Sequence, residues 1–249
     1  KSTDKSLVNT VTHHIHEEEF HMRTIKKVAS HIFIDGFGGM TQGLFATLII
    51  GTMIQQIGLL IGGSTGNVIY LLGKAAAALT SAGIGVGVAV KYGESPLVTV
   101  SAAVAAMVGG YAGKITGGTF FVDGNAVLAG PGEPLGAFIA AFAGITCGHL
   151  VSGKTKVDII VTPVITIGAG SVVGLLVGPP ISQMMTGLGS IINWATEQRP
   201  FIMGIVVSVV MGMVLTLPIS SAALGIILNL SGLAAGAATI GCCCNMVGF

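Results

Sequence analysis

The stretch AGPGEPLGAFIAAFAGITCGHL, residues 129–150, decides what kind of molecule this is. It sets a carboxylate, Glu133, between Gly132 and Pro134, runs on through residues that are almost all apolar or small, and closes on His149. Pro134 suits the first turn of a helix, which puts Glu133 at a helix start beside the flexible Gly130 and Gly132. A segment of this kind can dip into a bilayer and set a carboxylate against a ligand hydroxyl. On a straight helix Glu133 and His149 stand about 24 Å apart, so one small ligand cannot touch both. Either the two groups serve opposite faces of the molecule or the segment is broken. His149 also suits a purely structural place, at a helix C-terminus where its partial positive charge complements the macrodipole.

Around this stretch the composition is that of an integral membrane protein. Hydrophobic residues make up 52% of the 249 and charged residues only 8%, against roughly 25% charged in a soluble domain; mean hydropathy is +0.88. A soluble core this apolar would have no surface to offer water. The formal net charge is +1 and the charges lie in short clusters, which argues against a nucleic-acid partner and places the partners in the bilayer or at its faces. The four cysteines, Cys147 and Cys242 to Cys244, sit in apolar runs without metal-ligand spacing and read as reduced packing residues. No cofactor-binding pattern is present; GIGVGVAV at 83–90 resembles a dinucleotide fingerprint only superficially, having no strand before it.

Residues 1–30 form a polar, amphipathic N-terminal segment without the h-region of a signal peptide. Within it His14, Glu18 and His21 share a helical face, a spacing that suits a metal, but the favoured reading is a solvated helix with Lys26 and Lys27 at the headgroups. From residue 31 to 249 the expectation is an all-α, polytopic transmembrane helical bundle. Spans are predicted near 32–62, 67–90, 97–121, 134–152, 158–180, 200–226 and 227–249, each long enough for a ~30 Å hydrocarbon core. Lys1, Lys5, Arg23, Lys26 and Lys27 place the N-terminus in the cytoplasm, and alternation then makes the loops at 91–96 and 153–157 cytoplasmic. Those loops carry Lys91, Lys154 and Lys156, whereas the loop around NAVLAGPG, predicted to face outward, has no Lys or Arg. The region ISQMMTGLGSIINWATEQRP, 181–200, is too polar for a comfortable span and reads as an interfacial helix or re-entrant hairpin with Trp194 at headgroup depth. The final apolar run reaches Phe249 with no polar tail, so the native chain is expected to continue.

Glycine, 39 of 249 residues, recurs at small-x-x-x-small spacing: Gly58, Gly62 and Gly66; Gly109, Gly113 and Gly117; Gly170, Gly174 and Gly178. Such faces let helices approach closely in lipid, where packing rather than the hydrophobic effect drives association. A shift of 61 residues superposes AGI at 82–84 on AGI at 143–145, and the second glycine series on the third. That echo suggests a parallel internal repeat of two spans, a pattern found in transporters.

Polar residues inside spans are costly and are therefore the functional candidates. They are Asp35, Lys74, Lys114, Glu133, His149 and Asp158, with Glu94 in the turn YGESP; Lys91, Lys154, Lys156 and Asp158 fit end-of-helix charges that snorkel.

Four strings, HIFIDGFGGMTQGLFATLIIGTMIQQIGLLIGG (31–63), SAGIGVGVAVKYGESPLV (81–98), GITCGHLVSGKTKVDIIVTP (144–163) and GCCCNMVGF (241–249), resemble the membrane IIC subunit of the bacterial sugar phosphotransferase system. The nearest likeness is to the divergent branch that includes the perfringolysin regulator proteins. The resemblance implies a plasma-membrane homodimer that binds a sugar or polyol, alternates access and presents it to a phosphorylated IIB protein. It implies enzymatic participation in phosphotransfer only together with separate IIA and IIB proteins. Glu133 would then hydrogen-bond and help deprotonate the accepting hydroxyl, with His149 orienting the sugar or stabilising the phosphate. Glu94, Asp35 and Asn245 would join Glu133 in holding the substrate, and no metal is implied. In glucose-type members a Gly-Ile-Thr-Glu string supplies the acid, whereas here GIT at 144–146 is followed by Cys147. That departure keeps open a membrane regulator or sensor that retains the fold without phosphotransfer, and a plain channel or other transporter.

Overall fold

The computed structural model describes residues 35–122, 125–126, 128, 130–196, 200–216 and 232–248. The N-terminal segment with its His14, Glu18 and His21 lies outside the described residues.

Helix α1 (Phe37–Leu44) passes through a π-helical stretch, Phe45–Ile49, into α2 (Ile50–Ile61), giving one apolar rod of 25 residues. The chain reverses at Gly62 and Gly63, with φ of 65° and 63°. Consecutive left-handed residues cost glycine almost nothing and other residues roughly 1–2 kcal/mol each, so the pair GG writes this turn into the sequence. Returning as α3 (Gly63–Ala78), the chain bends by 53° at Leu79 into α4 (Thr80–Lys91). The α2–α3 hairpin is closed by backbone against backbone: a Cβ at Gly58 would lie 2.5 Å from the Tyr70 nitrogen, and one at Gly51 2.9 Å from the Gly73 oxygen. This corrects the expectation that Gly58, Gly62 and Gly66 share a helix face. Gly62 is the turn, and Gly58 and Gly66 meet across it.

Helix α5 (Pro96–Gly110) starts at an N-cap, Ser95, whose Oγ accepts from the Val98 N–H, with Pro96 in the first turn. After it come the short α6 (Ala112–Thr116) and a two-stranded antiparallel hairpin, β1 (Phe121–Val122) with β2 (Asn125–Ala126). Then follow the loop Gly130–Glu133, α7 (Pro134–Val151), a turn at 152–157, and α8 (Asp158–Thr196). Helices α9 (Pro200–Thr216) and α10 (Gly232–Gly248) pack on each other through Met203, Val207, Met211, Ala234 and Ala238.

The core is made by α4, α5, α7 and α8, with α1 alongside α4. Ile84, Val88, Val98, Ala102, Ala106, Ala137, Phe138, Ala141 and Ile145 are buried there. The glycine series let the backbones touch: a Cβ on Gly109 would lie 2.5 Å from the Gly136 oxygen, and one on Gly170 would lie 2.6 Å from the Ala140 oxygen. Large apolar side chains such as Leu60, Leu176 and Phe201 point outward, as they must where lipid is the solvent. Among the described residues three helical segments, Phe37–Ile61, Pro134–Val151 and Asp158–Met185, are long and apolar enough to cross a membrane, and the bent α3–α4 pair is a fourth. The chain is an all-α helical bundle apart from its small hairpin.

Three expected spans come out differently. The one drawn at 67–90 starts four residues earlier and is broken at Leu79. The one drawn at 97–121 ends at Gly110, because Tyr111 leaves helical geometry (φ −105°, ψ 10°) and turns the chain into α6. The third, 158–180, has no separate interfacial helix after it: α8 runs 39 residues through Pro163, Pro179 and Pro180 to Thr196. Prolines are tolerated inside membrane helices where neighbours, side chains or local adjustments re-satisfy the freed carbonyls, which composition alone does not reveal. Residues 217–231, which fall within the last two expected spans, lie outside the described residues.

Candidate functional site

At one end of the core the loop Gly130–Glu133 is folded back against α4 and α5. Gly130 and Gly132 take φ of 82° and 74°, so the chain can turn twice within four residues. Three hydrogen bonds hold it. The Tyr111 hydroxyl donates to the Gly130 carbonyl at 2.5 Å, the Ser81 hydroxyl donates to the Pro131 carbonyl at 3.0 Å, and the Glu133 N–H donates to the Gly110 carbonyl at 2.6 Å. Tyr111 and Ser81 are buried, at 1% and 0% exposure. A side chain at Gly132 would run into Ser81 Oγ.

So fixed, Glu133 becomes the residue before α7, with Pro134 in the first turn. Glu133 lines a cavity of about 350 Å³ whose wall is mostly glycine: Gly109, Gly110, Gly113, Gly130, Gly132 and Gly178. The polar side chains on that wall are Glu133, Lys114 and Ser182. Glu133 Oε1 is buried without a hydrogen-bond partner. An orphaned carboxylate oxygen costs a kilocalorie per mole or more, and such a group persists where a ligand or proton satisfies it. Lys114 Nζ lies 5.3 Å from the Tyr111 ring centroid, a cation–π distance, which ties the one cation of this wall to the residue that holds the loop. The volume falls within the range of small-molecule sites.

The other end of the core is closed by a second cluster. His149 Nδ1 and Glu94 Oε1 are 2.9 Å apart, with the imidazole 71% exposed and the carboxylate 9% exposed. Ser95 Oγ and Ser152 Oγ lie 3.1 Å apart. Asp158 Oδ1 accepts from the Gly153 N–H at 3.0 Å and from the Thr162 hydroxyl at 2.6 Å. The turns α4–α5 and α7–α8 are thereby clasped at the same end, the common orientation that the 61-residue echo requires.

The candidate residues thus separate into groups. Glu133 and His149 terminate one unbroken helix and stand apart, as its length requires. Glu94 joins His149, not Glu133. Asp35 lies just before α1 and interacts electrostatically with the Tyr92 hydroxyl at the C-terminus of α4, on the side of the Glu94 turn. Asn245 lies in α10 with its Cβ in the space facing Gly212 of α9, and it is not on the cavity wall. Among the described residues there is no group of three His, Cys, Asp or Glu that could hold a metal, and Cys147, Cys242, Cys243 and Cys244 are free thiols. Sequence reasoning did not bring forward Ser81, Tyr111 or Ser182. The first two are polar groups inside apolar runs, and the cost of burying them was the available signal.

Comparison with curated proteins and with solved structures gave no match. The family profile described as "Phosphotransferase system, EIIC" matches residues 34–249, which takes in the whole helical bundle. With that match added to a bundle of apolar spans around a glycine-walled cavity, the chain belongs to the phosphotransferase system EIIC family, the multi-pass membrane subunits of sugar transport.

Proposed function

We propose that this subunit binds a sugar or polyol in the cavity beside Glu133 and translocates it for phosphorylation by a separate phospho-IIB protein. The carrying observation is that Glu133, whose Oε1 is buried without a hydrogen-bond partner, lines a small-molecule-sized cavity. A hydroxyl donating to that oxygen satisfies it; for the same carboxylate to take the hydroxyl proton as the sugar oxygen attacks the phosphorus, opening of the far end has to bring phospho-IIB within reach of the bound sugar. The IIB side chain is the leaving group. Glycine walls leave backbone groups facing the ligand, which suits a compact polyhydroxylated molecule.

In this arrangement the cavity lies at one end of the core, and the Glu94–His149 and Ser95–Ser152 contacts close the other. With the N-terminus cytoplasmic, the closed end is the cytoplasmic one, and handing a sugar to IIB requires the clasp to open. His149, exposed there, is placed for the arriving phosphate. A homodimer in the plasma membrane completes the reading.

The test is binding of a panel of radiolabelled hexoses and hexitols to the protein in liposomes, repeated with Glu133→Gln. Binding of at least one compound, weakened tenfold or more (about 1.4 kcal/mol) by the substitution, is the expected result. Equal binding to both proteins overturns the assignment of Glu133. One observation favours a regulator without phosphotransfer, namely Cys147 where glucose-type members carry the acid. Binding retained with no uptake or phosphorylation in the presence of phospho-IIB selects that second reading.

A further inference from the structure

The hydroxyl of Tyr111 sits between two carbonyls from different elements, Gly130 O in the Glu133 loop at 2.5 Å and Ala78 O at the end of α3 at 3.3 Å. A phenol has one proton to donate. It can bond fully to one of these acceptors at a time, and in this structure the shorter contact is to the loop. Ala78 is the last residue before the 53° bend at Leu79 that joins α3 to α4. The next turn, in α4, holds Ser81, whose hydroxyl reaches Pro131 of the same loop. Tyr111 is itself fixed by burial, by Phe120 with ring centroids 5.4 Å apart, and by Lys114 over its face.

We infer that Tyr111 is a positioning residue that couples the Glu133 loop to the helix break at Leu79. A ligand that draws the loop toward the cavity weakens the hold on Gly130, and the proton passes to Ala78, so that filling the site and bending the α3–α4 helix are one event. The α2–α3 hairpin, joined to the bundle through that bend and through the π-helical stretch Phe45–Ile49 that follows α1, is the element that moves. The functional meaning of this coupling rests on Glu133 being the ligand-facing group, but the coupling itself is measured without any sugar, so the two can fail separately.

The first test is amide hydrogen exchange on the full chain in lipid nanodiscs, comparing the unmodified protein with Tyr111→Phe, which keeps the ring and removes the donor. Amides of Gly132–Glu133 and of Leu79–Ser81 are expected to exchange about fivefold faster together, the change that losing one net hydrogen bond produces, while the middle of α7 is unchanged. Dicyclohexylcarbodiimide labelling of Glu133, followed by peptide mass spectrometry, is expected to accelerate and to shift its pH profile, Lys114 being the other charged group on the wall. Acceleration at only one of the two segments, or at neither, overturns the coupling. If Tyr111→Phe loosens the whole molecule, the reverse experiment on the unsubstituted chain decides, because coupling between two sites is reciprocal. A carbodiimide adduct at Glu133 must change exchange at Leu79–Ser81, and silence there overturns the inference.

Discussion

At the scale of the residue, Glu133 depends on backbone that only glycine adopts easily. Gly132 has φ of 74° and its Cα faces Ser81 Oγ. Gly132→Ala therefore introduces left-handed strain of roughly 1–2 kcal/mol and a steric contact at the same time. The expected outcome is a thermal midpoint lowered by several degrees in detergent, with ligand binding at the Glu133 cavity lost; unchanged binding would show that the loop geometry does not matter to the site. Glu133 itself was legible in the sequence, because a carboxylate among Gly and Pro at the head of an apolar run has few bland explanations. Its supports were not. Tyr111 and Ser81 meet the loop across 19 and 50 residues of sequence, and a hydroxyl in an apolar run does not announce which distant carbonyl it serves. Pattern reading finds groups that are costly to bury, whereas the partner that offsets the cost is a property of the fold.

At the scale of the element, the same distinction separates helix existence from helix length. Apolar runs located nearly every helix, and the glycine series at 170–178 marked the face where α8 meets α5 and α7; the series at 109–117 does not share one face, because the helix ends at Gly110, leaving Gly109 against α7, Gly113 in α6 against Ser182, and Gly117 beyond the end of α6. The breaks were hidden, because Leu79 and Tyr111 are ordinary residues whose non-helical dihedrals nothing in the local sequence marks, and the polarity of 181–200 suggested an end where α8 continues. The contact faces allow a matched pair of substitutions. Gly109→Val places new atoms against the Gly136 carbonyl and Ala140, and overpacking of this kind costs about 1–3 kcal/mol or more. Gly168 of α8 has open space around its Cα, so Gly168→Ala is expected to be neutral or stabilising by up to about 1 kcal/mol through helix propensity. Thermal unfolding followed by intrinsic fluorescence of Trp194 compares the two. Equal midpoints would remove close backbone packing as the source of stability in this bundle.

At the scale of the whole molecule, function depends on the two ends of the core being different. One end carries the Glu133 cavity and the other the clasp of Glu94 with His149 and Ser95 with Ser152. A transporter needs one end closed while the other is open, and a clasp of two contacts, one of them to a histidine 71% exposed to solvent, is weak enough to release. His149→Ala is accordingly expected to leave the thermal midpoint nearly unchanged while speeding amide exchange at Gly93–Ser95 and at Ser152–Gly153; exchange confined to the site of substitution would mean that the two turns are independent. The proposed orientation of the two ends rests on charge. The clasp end bears Lys91, Lys154 and Lys156, and the hairpin near the cavity includes the exposed Asn125, in a loop without Lys or Arg. In a chain whose four cysteines are replaced by alanine, single cysteines at Asn125, Lys154 and Lys156 report the orientation directly. A membrane-impermeant maleimide applied to intact cells is expected to label Asn125→Cys and to spare the other two until the cells are opened. The reverse pattern would turn the cavity toward the cytoplasm, where phospho-IIB could meet a bound sugar without any opening of the clasp, and the alternating-access role given to that clasp would have to be abandoned.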